Sequence, residues 1–150
     1  MKVRGWVGFM VTACLLLKFG ATAWAQKISA AGNPIISVIV NKTVVQAEVV
    51  SSPDKLYLGL AGRRYMAPGS GMLFIMPTLE VQEFCMRGMC IPIDIIWICQ
   101  DRIIGFQQNL SPRDPGIFHS PAPADLVLEV PAGFVKSTGL RVKDRVKRLE

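Results

Sequence analysis

Phe84-Cys85-Met86-Arg87-Gly88-Met89-Cys90-Ile91-Pro92-Ile93-Asp94-Ile95-Ile96-Trp97-Ile98 is the stretch whose reading decides the fold. Its second half, Ile93 to Cys99, is β-branched and aromatic, follows a proline and ends at Gln100-Asp101, so it predicts a buried strand turning into Arg102 to Gln107 as a hairpin. This hairpin is expected at the centre of the sheet. Period-two alternation puts Asp94 on the face of Ile96 and Ile98, with Ile93, Ile95 and Trp97 opposite. The first half gathers two thiols and two thioethers around Arg87-Gly88, and the strand through Met86 breaks there.

Working outward, Pro34 to Val40 and Thr43 to Val50 read as two strands, the second alternating Val45, Ala47 and Val49 against Gln46 and Glu48. Ser51-Ser52-Pro53-Asp54 starts a short helix with a serine cap and proline in its first turn, closed by Gly59 and Gly62. Leu56, Leu60 and Tyr57 are expected to face the core. Met72 to Met76 is an apolar strand stopped by Pro77. Ser111 to Pro123 holds four prolines and is expected to be a long loop. Asp125 to Val130 alternates as a strand, Pro131 to Gly139 allows a helical turn, and Leu140 to Leu149 alternates again. With proline in every connection, the expected fold is mainly β: a single compact antiparallel barrel- or sandwich-like domain with one or two short helices.

The amino terminus reads differently. Lys2 and Arg4, an apolar run from Val7 to Leu17, and Ala23-Trp24-Ala25 have the form of a Sec-type signal peptide over residues 1–25, with cleavage before Gln26. Lys18 interrupts the apolar run, which is too short for an ordinary membrane span, so no stable span is expected after cleavage; a retained anchor is the alternative. Residues 26–42 form a lead-in and first strand, and 43–150 the β-rich domain. The expected location is periplasmic or secreted. Losing Lys2, Arg4 and Lys18 and no acid lowers the formal charge from +6 to +3, too little to suggest nucleic-acid binding. Losing Cys14 leaves Cys85, Cys90 and Cys99, an odd number in a disulfide-permissive compartment.

In order along the chain, Gly59-Leu60 with Arg63, Gly71-Met72-Leu73-Phe74, Phe84 and Met86, Ile91-Pro92-Ile93-Asp94-Ile95-Ile96, Pro121 and Pro123, Val127-Leu128-Glu129-Val130-Pro131-Ala132-Gly133, then Gly139 and Asp144 form a connected pattern. Over residues 43–148 it resembles the family known as domain of unknown function 192, small and often exported prokaryotic proteins. The resemblance implies a mainly β domain and does not imply any particular activity. Cys85 stands where the family usually has tryptophan, and Gly88-Met89 where it usually has an Asn-Thr pair.

Candidate ligand-binding residues are Arg63, Arg87, Asp94, His119 and Glu129. A buried Asp94 needs partners, and Arg63 and Arg87 are the cations nearest to hand; it is either an ion pair or backbone-satisfying acid that fixes the fold, or a ligand-binding or acid–base group. His119 lies in the proline-rich loop with no nucleophile elbow near it. Cys85, Met86, Met89 and Cys90 are metal candidates, since soft sulfur ligands suit Cu(I), and Met72, Met76 and His119 could add to them. The alternatives are plain core packing or a Cys85–Cys90 or Cys90–Cys99 bridge. Apart from Cu(I), no cofactor is expected. Arg141, Lys143, Arg145 and Lys147 would form a basic strand face, either guarding a sheet edge or meeting an acidic partner. The function these features support is an exported binding or accessory module for an unidentified small molecule or protein, with a pocket near Arg63, Asp94 and the Ser111 to Pro123 loop. A Cu(I)-binding or thiol-redox protein is the second possibility, and an enzyme of unidentified type the third.

Overall fold

A computed structural model describes residues 27–149; the signal peptide expected over residues 1–25 lies outside the described residues. β1 (Ile35–Val40) and β2 (Thr43–Val50) form an antiparallel hairpin across Asn41-Lys42. Both turn residues have positive φ, 43° and 68°, the conformation that a tight two-residue hairpin demands and that asparagine tolerates.

The helix α1 (Pro53–Leu58) follows, with Pro53 in its first turn where a missing N–H is harmless. Ser52 occupies the cap position but makes no side-chain capping bond, so the expected serine cap is only positional. Gly59 ends the helix at φ 49°, its N–H donating to the Lys55 carbonyl at 2.9 Å. Leu60 is buried and Leu56 packs beside it, whereas Tyr57 is 79% exposed. The expectation of a core-facing Tyr57 fails because residues four apart share a helix face, and Tyr57 is turned about 100° from Leu56.

β3 (Ser70–Glu80) pairs with β2 in parallel, an exception to the antiparallel rule, made possible because α1 and its loops carry the chain back to the same end of the sheet. It does not stop at Pro77: the strand continues through an irregular register between Ile75 and Glu80, the kind of place where a proline without an N–H is accommodated. β4 (Glu83–Cys85), β5 (Ile93–Cys99) and β6 (Arg102–Leu110) follow. Within the proline-rich segment, Ile117–His119 forms β7 and pairs with β4, so the expected loop contains a short strand. Gln82 and Ser120 clamp the start of this small sheet by reciprocal bonds: Gln82 N–H to Ser120 Oγ and Ser120 N–H to the Gln82 carbonyl, each 2.9 Å.

β8 (Ala124–Pro131), α2 (Phe134–Thr138) and β9 (Val146–Leu149) complete the chain. The main sheet has the order β6-β5-β8-β3-β2-β1-β9. It curls until its edges meet at one end, where Ile103 N–H bonds the Asp144 carbonyl at 3.0 Å, Lys143 N–H the Ile103 carbonyl at 2.8 Å and Val146 N–H the Asp101 carbonyl at 2.8 Å. The β5-β6 hairpin therefore lies at one side of the sheet and not at its centre; β8, arriving from later in the chain, inserts between β5 and β3. Leu140 to Arg145 is a turn, with Lys143 at φ 76° and Arg141 N–H bonded to Asp144. The expected basic strand face is thereby cut down to the residues of β9 and its approach.

Two apolar cores flank the central strands. Val38, Val45, Leu73, Ile96, Ile98, Ile103, Leu128 and Val146 fill the inside of the curl. On the outer face, Met72, Phe74, Ile93, Ile95, Trp97 and Val127 pack under Leu60 and Met86. Being covered on both faces is why β5 reads as a continuous apolar run instead of alternating with polar residues. Among the described residues, no helix is long and apolar enough to cross a membrane.

Candidate functional site

The outer core is incomplete. Between the α1 segment above and β3, β4 and β8 below lies a cavity of about 290 Å³ whose lining includes Leu60, Phe74, Met76, Phe84, Cys85, Met89 and Glu129. That volume is close to the lower end of the range for small-ligand sites, roughly 300 Å³. Tyr57, Glu83 and Arg87 also line it. Phe74 and Phe84 meet edge to face at 5.1 Å, and Phe84 meets Trp97 at 5.4 Å, so one wall is a fixed aromatic stack.

Glu129 is there because β8 alternates. Leu126, Leu128 and Val130 point into the curl, and Val127 and Glu129 take the outer face. In register, Glu129 stands between Met72 of β3 and Ile95 of β5, two fully buried apolar side chains. It is 5% exposed, and its Oε2 is sealed from solvent with no hydrogen-bond partner among the described residues. Burial alone pushes its pKa up to about 8. At neutral pH the carboxyl is thus mainly protonated, with an O–H to donate.

The other candidate residues are spent differently. Asp94 is fully buried, as its place on β5 requires, but it pairs with neither Arg63 nor Arg87. Its Oδ1 accepts from the N–H groups of Asn109 at 2.8 Å and Gly133 at 3.2 Å, and its Oδ2 from Val135 at 2.9 Å. Gly133 is the cap residue of α2, so Asp94 supplies from a distant strand the acceptor that the helix start lacks locally. It holds β6 and α2 to β5, and it does not line the cavity. Of the two fold-fixing alternatives, the ion pair is not formed and the backbone-satisfying acid is what the structure has.

Arg63 makes a two-pronged pair with Glu48, its Nη1 on Oε1 and its Nη2 on Oε2 at 2.7 Å, while Asn33 adds a bond to Oε2 at 2.9 Å. The guanidinium holds Glu48 down at about 2, and Glu48 in turn raises Arg63. Arg87 lies over the Tyr57 ring, 5.3 Å from its centroid, and donates to the Tyr57 hydroxyl at 2.8 Å, forming a lip to the cavity. His119 sits opposite Glu83 across β4 and β7, Nδ1 to Oε1 3.4 Å, both side chains exposed. The cavity therefore brings together Arg87 and Glu129, with His119 reaching its rim only through Glu83, and leaves Arg63 and Asp94 elsewhere.

The sulfur set is divided. Cys85 and Met89 line the cavity, Met86 is buried in the outer core, and Cys90 is exposed with its thiol 4.0 Å from the Gly88 carbonyl. Cys85, Cys90 and Cys99 are all unbridged. Of the additional sulfurs, Met76 lines the cavity and Met72 is core. A wider groove of about 580 Å³ at the joined end of the sheet is lined by Lys42, Asp101, Arg145 and Lys147. It is open, and Asp101 already faces both Arg145 and Arg102 at 3.7 Å. Leu56, Leu60, Phe74 and Phe84 are not among the sequence candidates; the signal for Phe74 is the outward phase of β3, and for Leu56 and Leu60 the i, i+4 spacing in and after α1.

Two solved structures share this architecture. One, a protein of unknown function from Novosphingobium aromaticivorans, is 27% identical, with TM-score 0.78, covering 93% of this chain and 99% of that one. The other, from Sinorhizobium meliloti and provisionally described as a transcription regulator, is 29% identical, with TM-score 0.71, covering 76% of this chain and 92% of that one. No curated protein matches the chain. Residues 36–148 match the family model described as DUF192, uncharacterized ACR, and the chain accordingly belongs to the domain of unknown function 192 family.

Proposed function

We propose that this protein is an exported binding module that takes a small molecule into the cavity over Glu129. The observation that carries this reading is the buried, unpartnered Glu129 carboxyl lining a cavity between apolar walls. A polar group buried without a partner destabilises a fold by about 1–3 kcal/mol, and an apolar side chain would serve the packing better. A ligand in the adjoining space that bonds the carboxyl, with a side-chain shift that opens Oε2 to it, removes that penalty. The export half rests on the leader-like residues 1–25 and their small-residue cleavage site.

Both halves are testable. A fragment library screened by thermal shift, followed by amide NMR mapping, is expected to yield compounds that perturb Gly59 to Ala61 and Cys85 to Met89. Compounds that bind only elsewhere, with Glu129→Gln indifferent to them, would overturn the cavity assignment. For export, intact mass of the product from cell fractions is expected to start at Gln26; a cytoplasmic chain retaining residues 1–25 would refute it.

A further inference from the structure

We infer that the occupant of the cavity is an organic cation, a primary ammonium carried on an apolar body. The ammonium donates to the Glu129 carboxylate, and the body lies among Leu60, Phe74, Phe84 and Met89. This inference rests on the binding reading above and names its ligand class.

The floor of the cavity offers the Glu129 carboxyl, Glu83 adds a second carboxylate at the rim, and the one cation of the lining, Arg87, is held at the lip against Tyr57. Its walls are aromatic rings and thioethers, which attract cations through the ring quadrupole and polarizable sulfur. The charged and titratable groups around Glu129 come from three directions. From β4 come Glu83, with His119 beyond it, and the Cys85 thiol. From the roof come Tyr57 and Arg87. On the same sheet face, across Met72, lies Glu48 with Arg63. Arg63 is paired with Glu48, and Arg87 is drawn to the Tyr57 ring and hydroxyl at the lip, so neither bonds Glu129. An anionic ligand would meet Arg87 at the lip but Glu83 beside it, and above pH 8 the Glu129 carboxylate as well. A neutral ligand with a carbonyl or hydroxyl oxygen is the rival, since it could accept the proton of the acid.

The two differ in their proton balance. An ammonium displaces the acid proton: the carboxyl loses H⁺ to solvent, and the carboxylate then accepts N–H bonds from the ligand, which keeps all its own protons. A neutral acceptor leaves the proton in place. Since Glu129 changes charge around pH 8, cation binding strengthens from pH 6 to pH 8 by about 50-fold, following the ionised fraction. Neutral-acceptor binding weakens above pH 8.

Isothermal titration of the full chain with phenethylammonium, phenethyl alcohol and hydrocinnamate separates these cases. The amine is expected to bind most tightly, with about 50-fold gain from pH 6 to pH 8 and release of nearly one proton at pH 6 to 7, read from two buffers of different ionisation enthalpy. Glu129→Gln should weaken amine binding at pH 8 about tenfold or more and abolish its pH dependence, while Glu83, His119 and Cys85 remain as internal controls. Tighter binding of the alcohol, lost toward alkaline pH, or a preference for hydrocinnamate overturns the cation class and leaves the cavity reading standing. If none of the three perturbs the amides of Gly59 to Ala61 or Cys85 to Met89, both readings fail.

Discussion

Replacing Glu129 by glutamine should make the protein more stable in alkaline solution, and the size of the effect follows from where the side chain sits. In the folded chain burial holds the carboxyl near pKa 8, against 4.5 for an ordinary glutamate. Below pH 4.5 both folded and unfolded chains carry the proton, and pH has no effect through this group. Between pH 4.5 and 8 the unfolded chain loses a proton that the folded chain keeps, so stability falls by about 1.4 kcal/mol per pH unit. Above pH 8 both are ionised and the loss levels off at about 4–5 kcal/mol. Glutamine has the same shape and no such titration. Urea unfolding followed by the emission of Trp97, a buried indole of the outer core, measures both proteins from pH 5 to pH 9. The stability difference, variant minus wild type, is expected to rise by about 4 kcal/mol across that range, whatever its value at pH 5. Since other titrating groups are common to both proteins, they cancel. Parallel profiles would mean that Glu129 is hydrated or paired, and the account of the cavity floor would be wrong.

Further substitutions test the surrounding framework. Asp94→Asn keeps the shape but turns an amide N–H₂ toward a backbone donor, and should lower unfolding free energy by about 2–4 kcal/mol with ligand affinity unchanged; intact stability, or loss of binding in a fully folded variant, would contradict its structural role. Arg63→Met removes the partner of Glu48, whose lowered pKa contributes stability above pH 4.5 that is lost as pH falls toward 2. With Arg63 partly exposed, the loss is about 1–2 kcal/mol at pH 7, and the variant should be less acid-sensitive than wild type in urea titrations; equal sensitivity would refute the pairing. Gly71→Ala would put a Cβ 2.7 Å from the Glu129 carbonyl and against Val45 and Val130, and should cost about 2–4 kcal/mol; a wild-type Tm would show that the strands part more easily than they pack.

Much of the fold is legible from local chemistry. The β1-β2 hairpin, the proline-started helix closed at Gly59, and the Ile93 to Cys99 strand with its turn at Gln100 all follow from turn residues, capping positions and alternation. What local chemistry does not encode is which distant strand inserts where. β8 between β5 and β3, and β7 beside β4, are long-range pairings, so the hairpin moved from the expected centre to one side, and a proline-rich loop became half of a small sheet. The same limit governs the site. Asp94 shares the face of Ile96 and Ile98, as alternation requires, but its backbone partners lie 15, 39 and 41 residues away, beyond the reach of any spacing rule. Glu129 stands in an alternating apolar strand, a visible anomaly, yet that it has no partner depends on Arg63 choosing Glu48 and Arg87 choosing Tyr57. The sulfur-rich segment looked like one cluster in sequence; the break at Gly88, with φ 76°, sends Met86 inward and leaves Cys90 on the surface.

The most direct measurement is a carboxyl-carbon NMR titration of Glu129, assigned by comparison with Glu129→Gln, in the free protein and with phenethylammonium added. A midpoint at about 8 in the free protein, driven downward by the amine, is the predicted result. A midpoint near 4.5 that the amine leaves unchanged would contradict the claim that an unpartnered acid forms the floor of a binding cavity.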